Sequence, residues 1–155
     1  MTSSGAGMVK SKSTLEELDE LRQTRESRRG KSVLVVDDSK LMREMITKAL
    51  SRAGYTVVTA AEGLEGVERA KEREFDIVTA DVEMPRMNGY DMVKKLRRLS
   101  GYERKPIAMF SSKVEEIDIA LGMDAGADEY LTKPADQAEL LKVVMGLLGD
   151  TDDPS

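Results

Sequence analysis

In four places along this 155-residue chain, an apolar run ends directly in side chains that could do chemistry. Asp37 and Asp38 follow Val33-Leu-Val-Val36, Asp81 follows Phe75-Asp-Ile-Val-Thr-Ala80, Ser111 follows Ile107-Ala-Met-Phe110, and Lys133 follows Asp128 to Thr132. Three carboxylates in a chain with no His and no Cys suit a hard, oxygen-preferring cation, Mg²⁺ above all. Crowded acids repel one another, and a divalent ion compensates for that repulsion. Lys133 offers a point charge and Ser111 a hydroxyl donor, both suited to the oxygens of a phosphoryl group. The set is the positioning and charge-neutralising apparatus of phosphoryl transfer. The chain has no Gly-x-x-x-x-Gly-Lys-Ser/Thr loop, so a nucleoside triphosphate is not the expected donor. The remaining role is that of acceptor, with Asp81 as a carboxylate nucleophile that forms an aspartyl phosphate.

These side chains need rigid elements to aim them. Val33 to Val36 reads as a strand covered on both faces. Ser39 is a candidate N-cap for a helix to about Ala53, with Met42, Met45, Ile46, Ala49 and Leu50 on one face and Gly54 as its stop. Tyr55 to Ala60 predicts a second strand, and Gly63 to Arg73 a helix with Leu64, Val67 and Ala70 inward. Phe75 to Asp81 predicts the third strand. Met84-Pro85-Arg86-Met87-Asn88-Gly89 then forms a turn-rich loop. Tyr90 to about Leu99 predicts a helix with Met92, Val93, Leu96 and Leu99 apolar. Ile107 to Phe110 follows as a strand, Val114 to Asp124 as a helix stopped at Gly126, Asp128 to Thr132 as a short strand, and Asp136 to Leu148 as the last helix. Five strands alternating with five helices predict an α/β fold with one parallel sheet, in which ligands gather at the carboxyl ends of the strands. Taken singly, Asp37, Asp38 and Ser111 read as helix caps or solvated groups and Lys133 as a surface lysine. Four strand ends aimed at one rim make the functional reading the better one.

Composition narrows the field. At 34% charged and 40% hydrophobic residues the chain fits a globular protein with a sizeable core. No apolar stretch nears the ~20 residues of a membrane span, and the N-terminus lacks the apolar centre of a secretory signal. Absence of Cys fits a reducing cytoplasm, and absence of His excludes Ser-His-Asp triads and phosphohistidine within the chain. Residues 1–31 hold seven basic and five acidic residues; the rest therefore carries −7 of the net −5, an acidic body that argues against nucleic acid as the main partner. The division expected is an N-terminal extension over residues 1–30, a domain over 31–149 and an acidic tail over 150–155. Within the extension, residues 1–13 read as a disordered tail. Thr14 and Glu17 form a capping-box start for a marginal helix with Leu15, Leu18 and Leu21, and Arg25 to Lys31 reads as a charged linker. The basic residues Lys94, Lys95, Arg97, Arg98, Arg104 and Lys105 read as a solvated face rather than a nucleic-acid patch.

Taken together, Val-Val-Asp37-Asp38-Ser, Asp81-Val-Glu-Met-Pro-Arg-Met-Asn-Gly, Phe-Ser111-Ser and Tyr-Leu-Thr-Lys133-Pro134 resemble the receiver domain of two-component response regulators. The resemblance covers about residues 31–149 and extends to receivers that serve chemotaxis-type kinases. It implies a doubly wound, flavodoxin-like (βα)5 fold in which Asp81 is the phosphoacceptor. Mg²⁺ would be bound by Asp38, Asp81 and the main-chain carbonyl of Glu83, with Asp37 acting through metal-bound water. Ser111 and Lys133 would contact the phosphoryl group, Lys133-Pro134 would be a cis peptide, and Tyr130 would occupy an aromatic switch position coupled to Ser111. The implied partners are a histidine kinase as phosphodonor and a downstream protein target on the 111–149 face, to which Met109, Ile119 and Met123 would contribute. Neither nucleic acid nor membrane is implied as a partner. Glu83 and Lys113, two residues beyond Asp81 and Ser111, carry opposite charges that would pair across the pocket mouth and slow loss of the phosphoryl group. Other readings are a relay intermediate or phosphate sink, which would hand the group on, and a scaffold working without phosphorylation through residues 14–28.

Overall fold

The computed structural model describes residues 30–150. The expected tail over residues 1–13, the helix expected from Thr14, most of the expected linker and residues 151–155 lie outside them. The described chain runs β1 (Ser32–Val36), α1 (Lys40–Arg52), β2 (Thr56–Ala60), α2 (Gly63–Glu72), β3 (Ile77–Ala80), α3 (Gly89–Arg97), β4 (Ile107–Ser111), α4 (Glu116–Ala125), β5 (Glu129–Thr132) and α5 (Gln137–Leu148). The five strands form one parallel sheet in the order β2-β1-β3-β4-β5. The βα repeat and the parallel, doubly wound architecture expected from the sequence are both present.

Strand β1 explains why the sheet is central. All of its residues are buried. Leu34 and Val36 join one core with Val67, Ala70, Met92, Val93, Leu96 and Ala125, while Val33 and Val35 join another with Ile46, Leu50, Leu140 and Val144. Alternate side chains thus feed opposite faces, with α2, α3 and α4 on one and α1 and α5 on the other. The helices start on local signals: Ser39 Oγ accepts from Met42 N at 3.2 Å, Asn88 caps α3, and capping boxes at Glu115/Asp118 and Asp136/Glu139 open α4 and α5. The Glu115 box explains why α4 begins at Glu116, two residues after the start expected from its apolar pattern.

Several sequence expectations need correction. Leu64 points outward at 44% exposure, because Gly63 and Gly66, with Val67 and Ala70, form the buried face of α2. A Cβ on Gly66 would lie 2.8 Å from Met92 Sδ and 3.0 Å from Val36, so the close α2–sheet packing leaves no room for a side chain there. Strand β3 starts at Ile77, not Phe75, since the Phe75 amide donates to the buried Tyr102 hydroxyl at 2.9 Å instead of entering the ladder. Met109 is wholly buried in β4 and is unavailable to a partner surface. Asp150, expected as the first residue of an acidic tail, is buried against the domain; Tyr55 Oη donates to its carboxylate at 3.1 Å and Lys31 forms an ion pair with it, closing the ends of the domain on each other. Arg97 is not part of a solvated face. It donates to the carbonyls of Gly126, Tyr102 and Lys105 at 2.6–2.9 Å and to Asp128 at 3.0 Å, pinning the end of α3 to the approaches of β4 and β5.

That pinning sets an expectation. Removing Arg97 strips a charged donor from three main-chain carbonyls, so Arg97→Ala is expected to lower unfolding stability by about 2–3 kcal/mol in urea denaturation. Lys95→Ala, on the exposed side of the same helix, is expected to change it by less than about 0.5 kcal/mol.

Candidate functional site

The register of the sheet builds the site. β1 and β3 are hydrogen-bonded neighbours that pair Val36 with Ala80, so the next residues, Asp37 and Asp81, leave adjacent strands side by side. β4 and β5 pair Ser111 with Thr132, which brings Lys133 out one residue further on, its amide donating to the Ser111 carbonyl at 2.7 Å. The order β2-β1-β3 makes β1/β3 the point where the chain switches direction across the sheet, where a crevice opens at the strands' carboxyl ends.

In that crevice Asp37, Asp38 and Asp81 each present a carboxylate oxygen within 4.8 Å of the others. Asp37 and Asp81 are buried and Asp38 is exposed. Lys133 Nζ donates to Asp37 Oδ2 at 2.9 Å and lies 3.6 Å from Asp81 Oδ2, bridging the two buried acids. The Ser39 amide donates to Asp37 Oδ1 at 2.9 Å and the Val82 amide to Asp81 Oδ1 at 2.8 Å. Burial is the main cause that raises the Asp81 pKa above the usual carboxylate range, and the charges of Asp37 and Asp38 push the same way; Lys133 and the Val82 amide oppose it. One lysine faces three acids, so an excess of negative charge is concentrated at the strand ends.

All-oxygen donors within a few ångströms, one of them open to solvent, fit a hard divalent cation such as Mg²⁺. Such an ion would neutralise the cluster and favour the ionised, nucleophilic form of Asp81.

The remaining predicted residues rim the crevice. Ser111 is buried at the end of β4, its Oγ accepting from the Lys113 amide at 3.1 Å. Tyr130 is half-buried, packs against Gly122 of α4, and donates its hydroxyl to the Lys113 carbonyl at 2.6 Å. Glu83 and Lys113 form the expected pair across the mouth, with Nζ and Oε2 3.7 Å apart and both side chains largely exposed. Lys133-Pro134 is cis. The structure therefore brings all the nominated residues to one end of the sheet.

Three neighbours escaped the sequence reading. Arg43 Nη1 donates to the Asp37 carbonyl at 2.7 Å. Phe110 places its ring 5.3 Å from Lys133 Nζ, a cation–π contact that helps seat the ammonium. Tyr90 donates to the Asp118 carbonyl at 3.1 Å, and burial pushes its hydroxyl up to about 12. Arg43 and Phe110 lie within ordinary helix and strand patterns, and only the folded arrangement sets them apart. Tyr90 directly follows the Asn88-Gly89 turn, which was a usable signal.

Comparison with known proteins agrees with this geometry. The response regulator receiver domain family matches residues 33–145. The alkaline phosphatase synthesis transcriptional regulatory protein PhoP of Bacillus subtilis is 36% identical over 119 residues, covering 77% of this chain and 49% of that protein. The chain spans about half the length of that relative. The chemotaxis response regulator CheY4 of Vibrio cholerae superposes with a TM-score of 0.73 at 38% identity, covering 76% of this chain and 98% of that one. The receiver domain of sensor histidine kinase PA1611 from Pseudomonas aeruginosa, solved with a magnesium ion coordinated in its active site cleft, gives 0.73 at 28% identity over 77% of this chain and 98% of that one. With the paired aspartates after β1, the acid after β3 and the lysine after β5 converging in one crevice, this chain belongs to the response regulator receiver domain family of two-component systems.

Proposed function

We propose that Asp81 accepts a phosphoryl group from a partner histidine kinase and that the resulting aspartyl phosphate changes which proteins the domain binds. The observation that carries this reading is the bridging position of Lys133, 2.9 Å from Asp37 and 3.6 Å from Asp81, in a crevice of three carboxylates. Asp81 Oδ forms the new P–O bond as the donor's P–N bond breaks, the electron pair remaining on the imidazole nitrogen. Lys133 is placed to exchange its contact with Asp81 for one with a phosphoryl oxygen, and Ser111 supplies a hydroxyl from the end of β4. Asp38, Asp81 and the Glu83 carbonyl would hold Mg²⁺, with Asp37 acting through its water; when bound, the ion supplies charge neutralisation for the incoming phosphoryl oxygens. The magnesium-bound receiver of PA1611 supports this assignment by similarity.

Tyr130 and Ser111 are proposed as the switch, since Tyr130 is tied to the Lys113 carbonyl and Ser111 Oγ to the Lys113 amide of one short segment. A shift there biases α4, β5 and α5, and the exposed Val114, just before α4, with Ile117, Leu121 and Met123 on α4 offer an apolar surface to a protein target. Ile119 is more sheltered than these and contributes less. Similarity to CheY4 supports chemotaxis-type signalling as the process. Among the described residues no helix is long and apolar enough to cross a membrane, and we place the protein in the cytoplasm beside its kinase.

Incubation with Mg²⁺ and a small phosphodonor, followed by intact mass, is expected to add one phosphoryl group to the wild type and none to Asp81→Asn or to chelator-treated protein. Labelling of Asp81→Asn equal to wild type would sink the acceptor assignment, and transfer onward to a histidine-containing protein would mark a relay instead. The Glu83–Lys113 pair is exposed and worth at most about 1 kcal/mol, so Lys113→Ala is expected to speed loss of the label by up to about fivefold. An unchanged half-life would rule out a role for that pair.

A further inference from the structure

The loop between β3 and α3 runs from Asp81 to Asn88 without regular structure, and it contains a strained residue. Arg86 has φ 66°, and the Met87 amide donates across it to the Pro85 carbonyl at 2.7 Å. A three-residue turn with positive φ at its centre is the rare, strained form, and a side chain there is disfavoured relative to glycine. Strain of this kind persists only where the surroundings over-determine it. The surroundings here are α2. Arg86 Nε donates to Glu62 Oε1 at 2.7 Å, and Arg86 Nη2 donates to Glu62 Oε2, a two-pronged ion pair. Beside it, the loop lies so close to α2 that a Cβ on Gly63 would stand 2.6 Å from the Met87 carbonyl oxygen.

Glu62 stands at the N-cap position of α2 but makes no side-chain cap; its carbonyl accepts the Gly66 amide at 2.9 Å, so the helix starts without its carboxylate. That carboxylate is committed to Arg86. At its far end the loop is clamped as well: Gly89 N donates to the Val82 carbonyl at 2.8 Å, and a Cβ on Gly89 would overlap the Asp81 carbonyl. Between the two clamps lies Glu83.

We propose that Glu62 and Arg86 are positioning residues for the cation and phosphoryl site, holding the loop in the conformation that presents the Glu83 carbonyl beside Asp81 and the Glu83 side chain to Lys113. This inference rests on the proposed Mg²⁺ site. The pair itself is mostly exposed at Arg86 and adds little to global stability, so its effect appears in cation affinity rather than in unfolding.

Calorimetric titration of the full chain with Mg²⁺ tests it, using wild type, Asp38→Ala, Glu62→Gln, Arg86→Gln and the double variant. Positioning predicts that each single variant weakens Mg²⁺ binding roughly tenfold, as expected for outer-shell partners. The double variant is then no weaker than either single one, and urea midpoints stay near wild type. A purely Coulombic influence predicts opposite signs: loss of the Arg86 cation would tighten binding and loss of the Glu62 anion would weaken it. Opposite shifts, additive shifts or no shift would overturn the proposal. If wild type binds Mg²⁺ no better than Asp38→Ala, the cation site itself is wrong and the positioning role falls with it.

Discussion

The rest of the structure depends on one juxtaposition, the parallel pairing of Val36 with Ala80 that sets Asp37 beside Asp81 at the end of two buried strands. Two buried carboxylates at close range repel and are poorly solvated, an arrangement that would be unfavourable without compensation. The compensation comes from the far end of the chain. Lys133, carried by β5, reaches both acids, and its ammonium rests near the Phe110 ring. The two hydrophobic cores stiffen the sheet enough to hold the charges in place. A site of this kind, net negative and preorganised, favours whatever brings positive charge to it.

Rigidity and mobility are divided between strands and loops. Asp37, Asp81, Ser111 and Lys133 all stand at or just beyond strand ends, where the ladder fixes the backbone. The segment that would transmit a change is the loop after β4, which carries Lys113. Ser111 and Tyr130 both bind main-chain atoms of Lys113, so one residue couples the buried end of β4 to the surface of α4. Helix α4 packs mainly through Gly122 and Ala125 and leaves Ile117, Leu121 and Met123 exposed, which makes it the helix whose position is least constrained by the core.

Patterns repeated over a few residues were legible without the fold. Val33 to Val36 reads as a strand covered on both sides, and Met92, Val93 and Leu96 as a face turned to a core, and both are so in the fold. Misreadings arose where two patterns overlap. Leu64 falls on the apolar period of α2, yet the helix approaches the sheet through glycines, which carry no hydrophobic signal. Arg97 sits in a run of basic residues with nothing local to separate it from Lys95, and only the neighbouring carbonyls of Gly126, Tyr102 and Lys105 do so. Asp150 looks like the start of a polar tail until Tyr55 and Lys31 are placed beside it.

The sequence by itself determined the order of the elements, the residues at each strand end, and therefore the chemical type of the site. These depend on periodicities of two and 3.6 residues and on turn residues, all local quantities. Tertiary structure alone decided the partnerships. Lys133 and Asp37 are 96 residues apart, and Arg86 and Glu62 are 24 apart. Such pairs form because strand order and register bring distant loops to one rim, and an ion pair's strength depends on distance and burial that no local pattern encodes.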